Sequence, residues 1–253
     1  MPKIRVIPVL LTDGYTLVKG SQFESWRSTG TVEQAVRLFA MRDVDELILL
    51  DVNSRSKNKT INLDLVERVS SILRIPFGVG GGISNVDQAA SILRAGAEKV
   101  VIGSLFFENI EEVKLISDRF GRQAVVIAID VVSREPLQLS YYSGKQISSM
   151  SKTELTQRIE YCGAGEILLQ SVRLDGTMTG MDYELIQDIS GLVRIPTVAS
   201  SGAGAKEDFL KAVNAGASAV AAGSIFQFTH LTPKEVRRYL ESESISVRVS
   251  NVQ

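Results

Sequence analysis

Short, almost unbroken apolar runs alternate along this chain with stretches of helical period. The runs at Ile4–Leu11, Glu46–Asp51, Phe77–Gly80, Lys99–Gly103, Ala124–Asp130, Glu166–Gln170, Thr197–Ala199 and Ala219–Gly223 are rich in Val, Ile, Leu and Ala. Near-continuity, rather than strict alternation with polar residues, predicts parallel strands covered on both faces. Between them, Val32, Ala35, Val36 and Phe39 recur at helical spacing behind a Thr31 cap. Asn85 caps a second predicted helix carrying Ala89, Ala90, Ile92 and Leu93, which Gly96 closes. The last helix opens at Thr232-Pro233, with proline at the favoured first position. Eight such strands, each followed by a helix, within 253 residues predict a (β/α)8 TIM barrel.

The second half of the chain copies the first. Arg74-Ile75-Pro76 returns as Arg194-Ile195-Pro196, and Ala95-Gly96-Ala97 as Ala215-Gly216-Ala217. Gly82 returns as Gly202, and Gly103-Ser104 as Gly223-Ser224, always 120 positions later (82 to 202, 103 to 223). That is far longer than a solenoid period and equals four βα units. The expected architecture is one domain over residues 1–253, made of duplicated half-barrels at about 1–122 and 123–253. An open doubly wound sheet would not require such copying.

Composition narrows the classes. Net charge is −1, which gives no global attraction to nucleic acid or anionic lipid. One cysteine, Cys162, and one histidine, His230, leave no basis for a disulfide framework or a thiolate or histidine metal centre, and no motif calls for an organic cofactor. Neither residue is assigned a role. The opening Met1–Pro8 stretch is too short in apolar residues for a leader peptide, and nothing approaches a membrane span of ~20 apolar residues. The expected location is the cytoplasm. The acidic Glu241-Ser242-Glu243 run reads as a solvated tail.

Chemistry in such a barrel gathers on the loops after the strands. Gly80-Gly81-Gly82 and Gly103-Ser104 follow the third and fourth predicted strands, and Gly202 and Gly223-Ser224 follow the seventh and eighth. Glycine lets backbone N–H groups approach a phosphate closely. One glycine turn needs no ligand to explain it, but two equivalent sets predict a long ligand with a phosphate at each end. Asp130 ends the fifth apolar run and is a candidate proton carrier. Asp175-Gly176-Thr177 forms a second polar turn near the same mouth, readable also as an ordinary Asp-Gly turn. Asp51 ends the second strand, and Lys19 follows the first, placed to meet an anion. The stretch from Lys19 to Gly30 shows no strand or helix period, carries Phe23 and the only tryptophan, Trp26, and reads as a lid loop or as a plain surface excursion.

These residues resemble the cyclase subunit of imidazole glycerol phosphate synthase along essentially the whole chain. The landmarks are Arg5-Val6-Ile7-Pro8, Val18-Lys19-Gly20, Gly80-Gly81-Gly82-Ile83, Ala128-Ile129-Asp130, Tyr142-Ser143-Gly144-Lys145 and Asp175-Gly176-Thr177. The resemblance implies that ammonia from a glutaminase partner crosses the barrel and attacks a bisphosphorylated formimino-carboxamide ribonucleotide. Imidazole glycerol phosphate and an aminoimidazole carboxamide ribonucleotide follow. It also implies two catalytic aspartates. Asp130 matches one; the other position is Leu11, and Asp13, of the same strand parity, is the expected substitute. Gly103 stands where the family carries asparagine. With those departures, a second expectation is a diverged barrel delivering ammonia to another amidotransfer, such as amidino-sugar formation.

Arg5, Glu46, Lys99 and Glu166 each sit at or near the start of a predicted strand. Two positive and two negative charges are expected to ring the barrel bottom, where only a neutral set persists at low cost. The resemblance marks them as the ammonia gate and puts the glutaminase partner on that N-terminal face.

Overall fold

The computed structural model describes residues 3–42, 44–57 and 59–248; Met1 and Pro2 of the opening stretch lie outside them. In chain order the strands are β1 (Arg5–Asp13), β2 (Thr16–Ser21), β3 (Glu24–Thr31), β4 (Leu47–Asp51), β5 (Phe77–Gly80), β6 (Lys99–Ile102), β7 (Val125–Arg134), β8 (Leu137–Tyr141), β9 (Gln146–Ser149), β10 (Glu166–Ser171), β11 (Thr197–Ser200) and β12 (Ala219–Ala222). Eight of these, β1, β4, β5, β6, β7, β10, β11 and β12, pair in parallel, and the β7–β10 ladder closes them into a ring. This is the (β/α)8 barrel, with each strand of the ring within a few residues of its predicted position.

Both faces of each barrel strand are apolar, for different reasons. In β1, Val6 and Leu10 turn outward into the large cluster shared with the helices, while Ile7, Val9 and Leu11 turn inward. Val18 of β2 with Ile48, Val101, Val126, Ala128, Leu168, Val198, Ala219 and Ala221 complete that inner cluster. Successive side chains alternate across a strand, so the inward set is stacked in layers from bottom to top. Arg5, Ile7, Val9 and Leu11 share one face, as do Glu166, Leu168 and Gln170. Among the described residues the barrel interior is a packed core whose inward polar side chains lie at its two ends.

The outer layer is formed by α1 (Val32–Met41), α2 (Leu63–Ile72), α3 (Val86–Arg94), α4 (Ser104–Glu108), α5 (Ile110–Phe120), α6 (Lys152–Cys162), α7 (Tyr183–Leu192), α8 (Lys206–Asn214), α9 (Ser224–Phe228) and α10 (Pro233–Ser242). The expected caps are present. Thr31 accepts from Gln34 N, Asn85 accepts from Gln88 N at 2.9 Å, and Thr232 with Glu235 forms a reciprocal capping box.

Two expectations are corrected. The Lys19–Gly30 stretch is not a loop: β2 and β3 form an antiparallel hairpin on the end of β1. Register shifts between Leu17 and Val18 and between Lys19 and Ser21 break the two-residue period, and almost all of β3 is exposed, so no apolar stripe marks it. The second half repeats the device, with the β8–β9 hairpin on the end of β7. The Glu241-Ser242-Glu243 run is solvated but is not a tail. It ends α10, after which the chain returns to β1: Ile4 N donates to Ser246 O at 2.8 Å, and Ile4 bridges Val247.

Candidate functional site

At the C-terminal ends of the strands the uppermost inward side chains, Leu11, Leu50, Asp130 and Gln170, floor a single cavity. The glycine turns rim it. Gly82, Gly103 and Ser104 stand at one end, and Gly202, Gly223 and Ser224 at the other. Gly82 and Gly202 hold the same left-handed backbone, with φ of +70° and +91°. A Cβ at either would run into a main-chain carbonyl, that of Lys59 or of Gly180. Glycine is therefore demanded at both by geometry. Gly103 and Gly223 each cap a five-residue helix, α4 or α9, pointing its first turn into the rim.

The two ends are not identical. A Cβ on Gly223 would meet Val9 O at 3.0 Å and Lys19 Nζ at 3.4 Å, whereas one on Gly103 would meet nothing within 4 Å. At the Gly103 end, Ser104 Oγ accepts from Tyr142 N at 3.0 Å, and the Arg55 guanidinium lies 5.4 Å from the Tyr142 ring centroid. At the Gly223 end, Ser201 contributes a buried hydroxyl with no hydrogen-bond partner among the described residues. Phe23 and Trp26 of the β2–β3 hairpin also line the cavity. The hairpin tip is tied across the mouth, where Gln22 N donates to Asp175 O at 2.9 Å.

Asp130 is the titratable group best suited to proton transfer. Burial pushes its pKa up to about 7, with the nearby Asp175 charge adding to the rise and a hydrogen bond from Gln170 opposing it. A carboxyl group so placed exchanges a proton near neutrality. Asp175 also lies in the cavity, its pKa raised by burial against the pull of Lys19, whose Nζ is 3.7 Å away. Gly176 and Lys19 line the cavity with it. Thr177 does not; its hydroxyl donates to Leu174 O at 2.9 Å and meets Thr179. Asp51 lines the cavity, but its Oδ1 accepts from Asn53 N and Ser54 N, each at 2.9 Å, and so holds the local turn.

Asp13 does not reach inward. Its carboxylate faces solvent beyond the cavity lining and pairs with Lys57 Nζ at 2.8 Å, a bond that lowers its pKa. The strand has left the barrel wall by that point to pair with β2, so parity with Leu11 no longer aims the side chain at the centre. Leu11 itself occupies the floor and is 8% exposed.

At the opposite end of the barrel the four strand-start charges meet. Arg5 pairs with both Glu46 and Glu166, and Lys99 Nζ lies 2.7 Å from Glu46 and 2.9 Å from Glu166. Each carboxylate bridges two cations, so the ring is closed and neutral. Burial opposes charge on Glu166, but the bonds to Arg5 and Lys99 outweigh it and lower its pKa. For Arg5, burial is again opposed and outweighed, here by Glu166 and Glu46, and its pKa rises.

Sequence reasoning gives no role to Gln170, Arg55 or Tyr141, and names Ser201 and Tyr142 only as parts of a turn and of a landmark; all five line the cavity. Ser201 stands opposite Gly81 in the 120-residue repeat, and Gln170 ends the sixth apolar run as Asp130 ends the fifth, but as a neutral amide it suggested no proton chemistry. Cys162 is buried in α6, and burial raises its pKa, in keeping with an inert thiol. No helix among the described residues is long and apolar enough to cross a membrane.

A family model described as histidine biosynthesis protein matches residues 5–232. The imidazole glycerol phosphate synthase subunit HisF of Dictyoglomus thermophilum is 38% identical over 247 residues, covering 97% of this chain and 98% of that protein. The proteins of that name from Thermobifida fusca and Pyrobaculum aerophilum are 37% identical over 252 residues and 38% identical over 250, with the same coverage.

Proposed function

Because this chain belongs to the histidine biosynthesis protein family, we propose that it is the cyclase subunit of an imidazole glycerol phosphate synthase. The observation carrying this reading is one cavity with a glycine–serine anion cradle at each end and a proton-exchanging carboxyl between them, set above a closed charge ring. A bisphosphorylated ribonucleotide spans the two cradles. Ammonia released by a glutaminase subunit enters through Arg5, Glu46, Lys99 and Glu166 on the N-terminal face. Asp130 removes a proton from the attacking nitrogen and returns it to the departing atom. The chain acts as one cytoplasmic domain of two half-barrels, at about residues 1–122 and 123–253.

Leu11 favours a second reading. With Asp13 paired to Lys57 and turned to solvent, Asp130 is left without a second aspartate on β1. A single carboxyl suffices for addition of ammonia and loss of a leaving group, because the proton it takes is the one it gives back. Ring closure after lysis requires further proton transfers. The second reading is accordingly a diverged barrel that delivers ammonia to another amidotransfer, such as amidino-group formation on a sugar.

Turnover of the bisphosphorylated ribonucleotide by the purified chain with ammonium salts decides between them. Cyclisation that disappears in Asp130→Asn is the expected result. No cyclisation by the wild type, together with its appearance in Leu11→Asp, would instead establish the second reading.

A further inference from the structure

We propose that Gln170 is a positioning residue that holds the Asp130 carboxyl group in one place through both of its protonation states. The inference deepens the reading of Asp130 as the proton carrier and rests on it. Asp130 and Gln170 are register partners in the β7–β10 ladder, and both side chains line the cavity. Gln170 Nε2 donates to Asp130 Oδ1 at 2.8 Å, and Gln170 is only 9% exposed, so the bond is sheltered from water.

The chemistry of the partner matters. A carboxamide carries a donor on one side and an acceptor on the other. Nε2 serves the ionised carboxylate; after a half-turn of the amide, Oε1 accepts from the protonated acid. A lysine or arginine would serve the ionised form alone and pull the pKa far below neutrality. Among the charged groups lining the cavity, Asp175 acts on Asp130 through its charge and makes no bond to it, and the others are engaged elsewhere. Lys19 faces Asp175, Asp51 holds its turn, and Arg55 pairs with Glu108 and lies over Tyr142. The apolar Leu11 offers no hydrogen bond. A neutral dipole is thus the immediate partner of the one carboxyl that must both take and give a proton. As the nitrogen–hydrogen bond of the nucleophile breaks, an oxygen–hydrogen bond forms on Asp130. The reverse occurs at the leaving atom, and the amide rotates between the two steps.

Gln170→Met, of similar length, and Gln170→Leu test this. Carbon-13 NMR titration follows the Asp130 carboxyl, assigned by its loss in Asp130→Asn, and needs no turnover. In both variants the Asp130 midpoint is expected to move up from about 7 by roughly one unit, the excess of a hydrogen bond to the ionised form over one to the neutral form. The ammonia-dependent kcat at pH 7 should fall about fivefold, its rising limb moving with the midpoint, while KM changes by less than about twofold. An unmoved midpoint in a folded Gln170→Met protein overturns the proposal. So does a raised KM with unchanged kcat, which would make Gln170 a substrate contact. Absence of turnover in the wild type defeats the cyclase reading alone, since the titration still decides the role of Gln170.

Discussion

At the scale of single residues, Asp130 trades stability for reactivity. Its folded pKa of about 7 lies above the ordinary carboxylate value of 3.8, so the native state keeps its proton through the window between them. Below that window both folded and unfolded chains are protonated and the contribution is fully present. As pH rises through it, stability falls, by at most roughly 4 kcal/mol for a shift of this size. Asp130→Asn has no charge to bury and should not show that loss. Its melting temperature should exceed that of the wild type by several degrees at pH 8 and match it near pH 4. Parallel thermal unfolding of the two proteins checks this, and equal losses between the two pH values would show that Asp130 ionises freely. Asp130 could be picked out from the sequence because it is a carboxyl group ending an apolar run. Gln170 could not, because its role depends on the β7–β10 register, a pairing between segments 40 positions apart. Asp13 misled for the opposite reason: parity aims a side chain at the barrel centre only while the strand stays in the barrel wall, and at Asp13 β1 pairs with β2 alone.

At the scale of elements, the barrel strands and capped helices were legible because each announces itself locally, by an apolar run or a cap. The β2–β3 hairpin was not. Its turn is made by Gln22 and Phe23 at positive φ rather than by glycine, and its strands are bulged and largely exposed. Its position across the mouth depends on close backbone packing at Gly176, where a Cβ would meet Gly20 O at 2.5 Å and Ser21 Cα at 3.0 Å. Neither neighbour is the flexible end of a side chain, so Gly176→Ala must displace the hairpin, at a cost of about 1–3 kcal/mol. Trp26, the only tryptophan, reports the change without labelling. Its emission should move to longer wavelength and cleavage between β2 and β3 should quicken, with the melting temperature of the barrel little changed. An unaltered Trp26 spectrum would mean that Asp175 and Gly176 do not seat the hairpin.

At the scale of the whole molecule, the charge ring and the cavity lie at opposite ends of one packed barrel, so the two can be separated by experiment. Lys99→Ala removes one of the two cations that each carboxylate bridges. Glutamine-dependent product formation in the complex with a glutaminase should change severalfold, whereas turnover with free ammonium salts should not, provided circular dichroism shows the variant folded. Equal losses in both assays would reduce the ring to a structural cluster. The duplication has its own consequence. Gly223 is pinned between a strand carbonyl and Lys19, so even a methyl group there must push main chain aside. Gly103, its counterpart in the earlier copy, leaves room for a Cβ, with nothing within 4 Å of it. One handhold is frozen and the other is free to drift. Descendants of such a barrel should acquire new ligands by single changes at the Gly103 end while gripping the same anion at the other, and evolutionary novelty in this fold becomes one-sided.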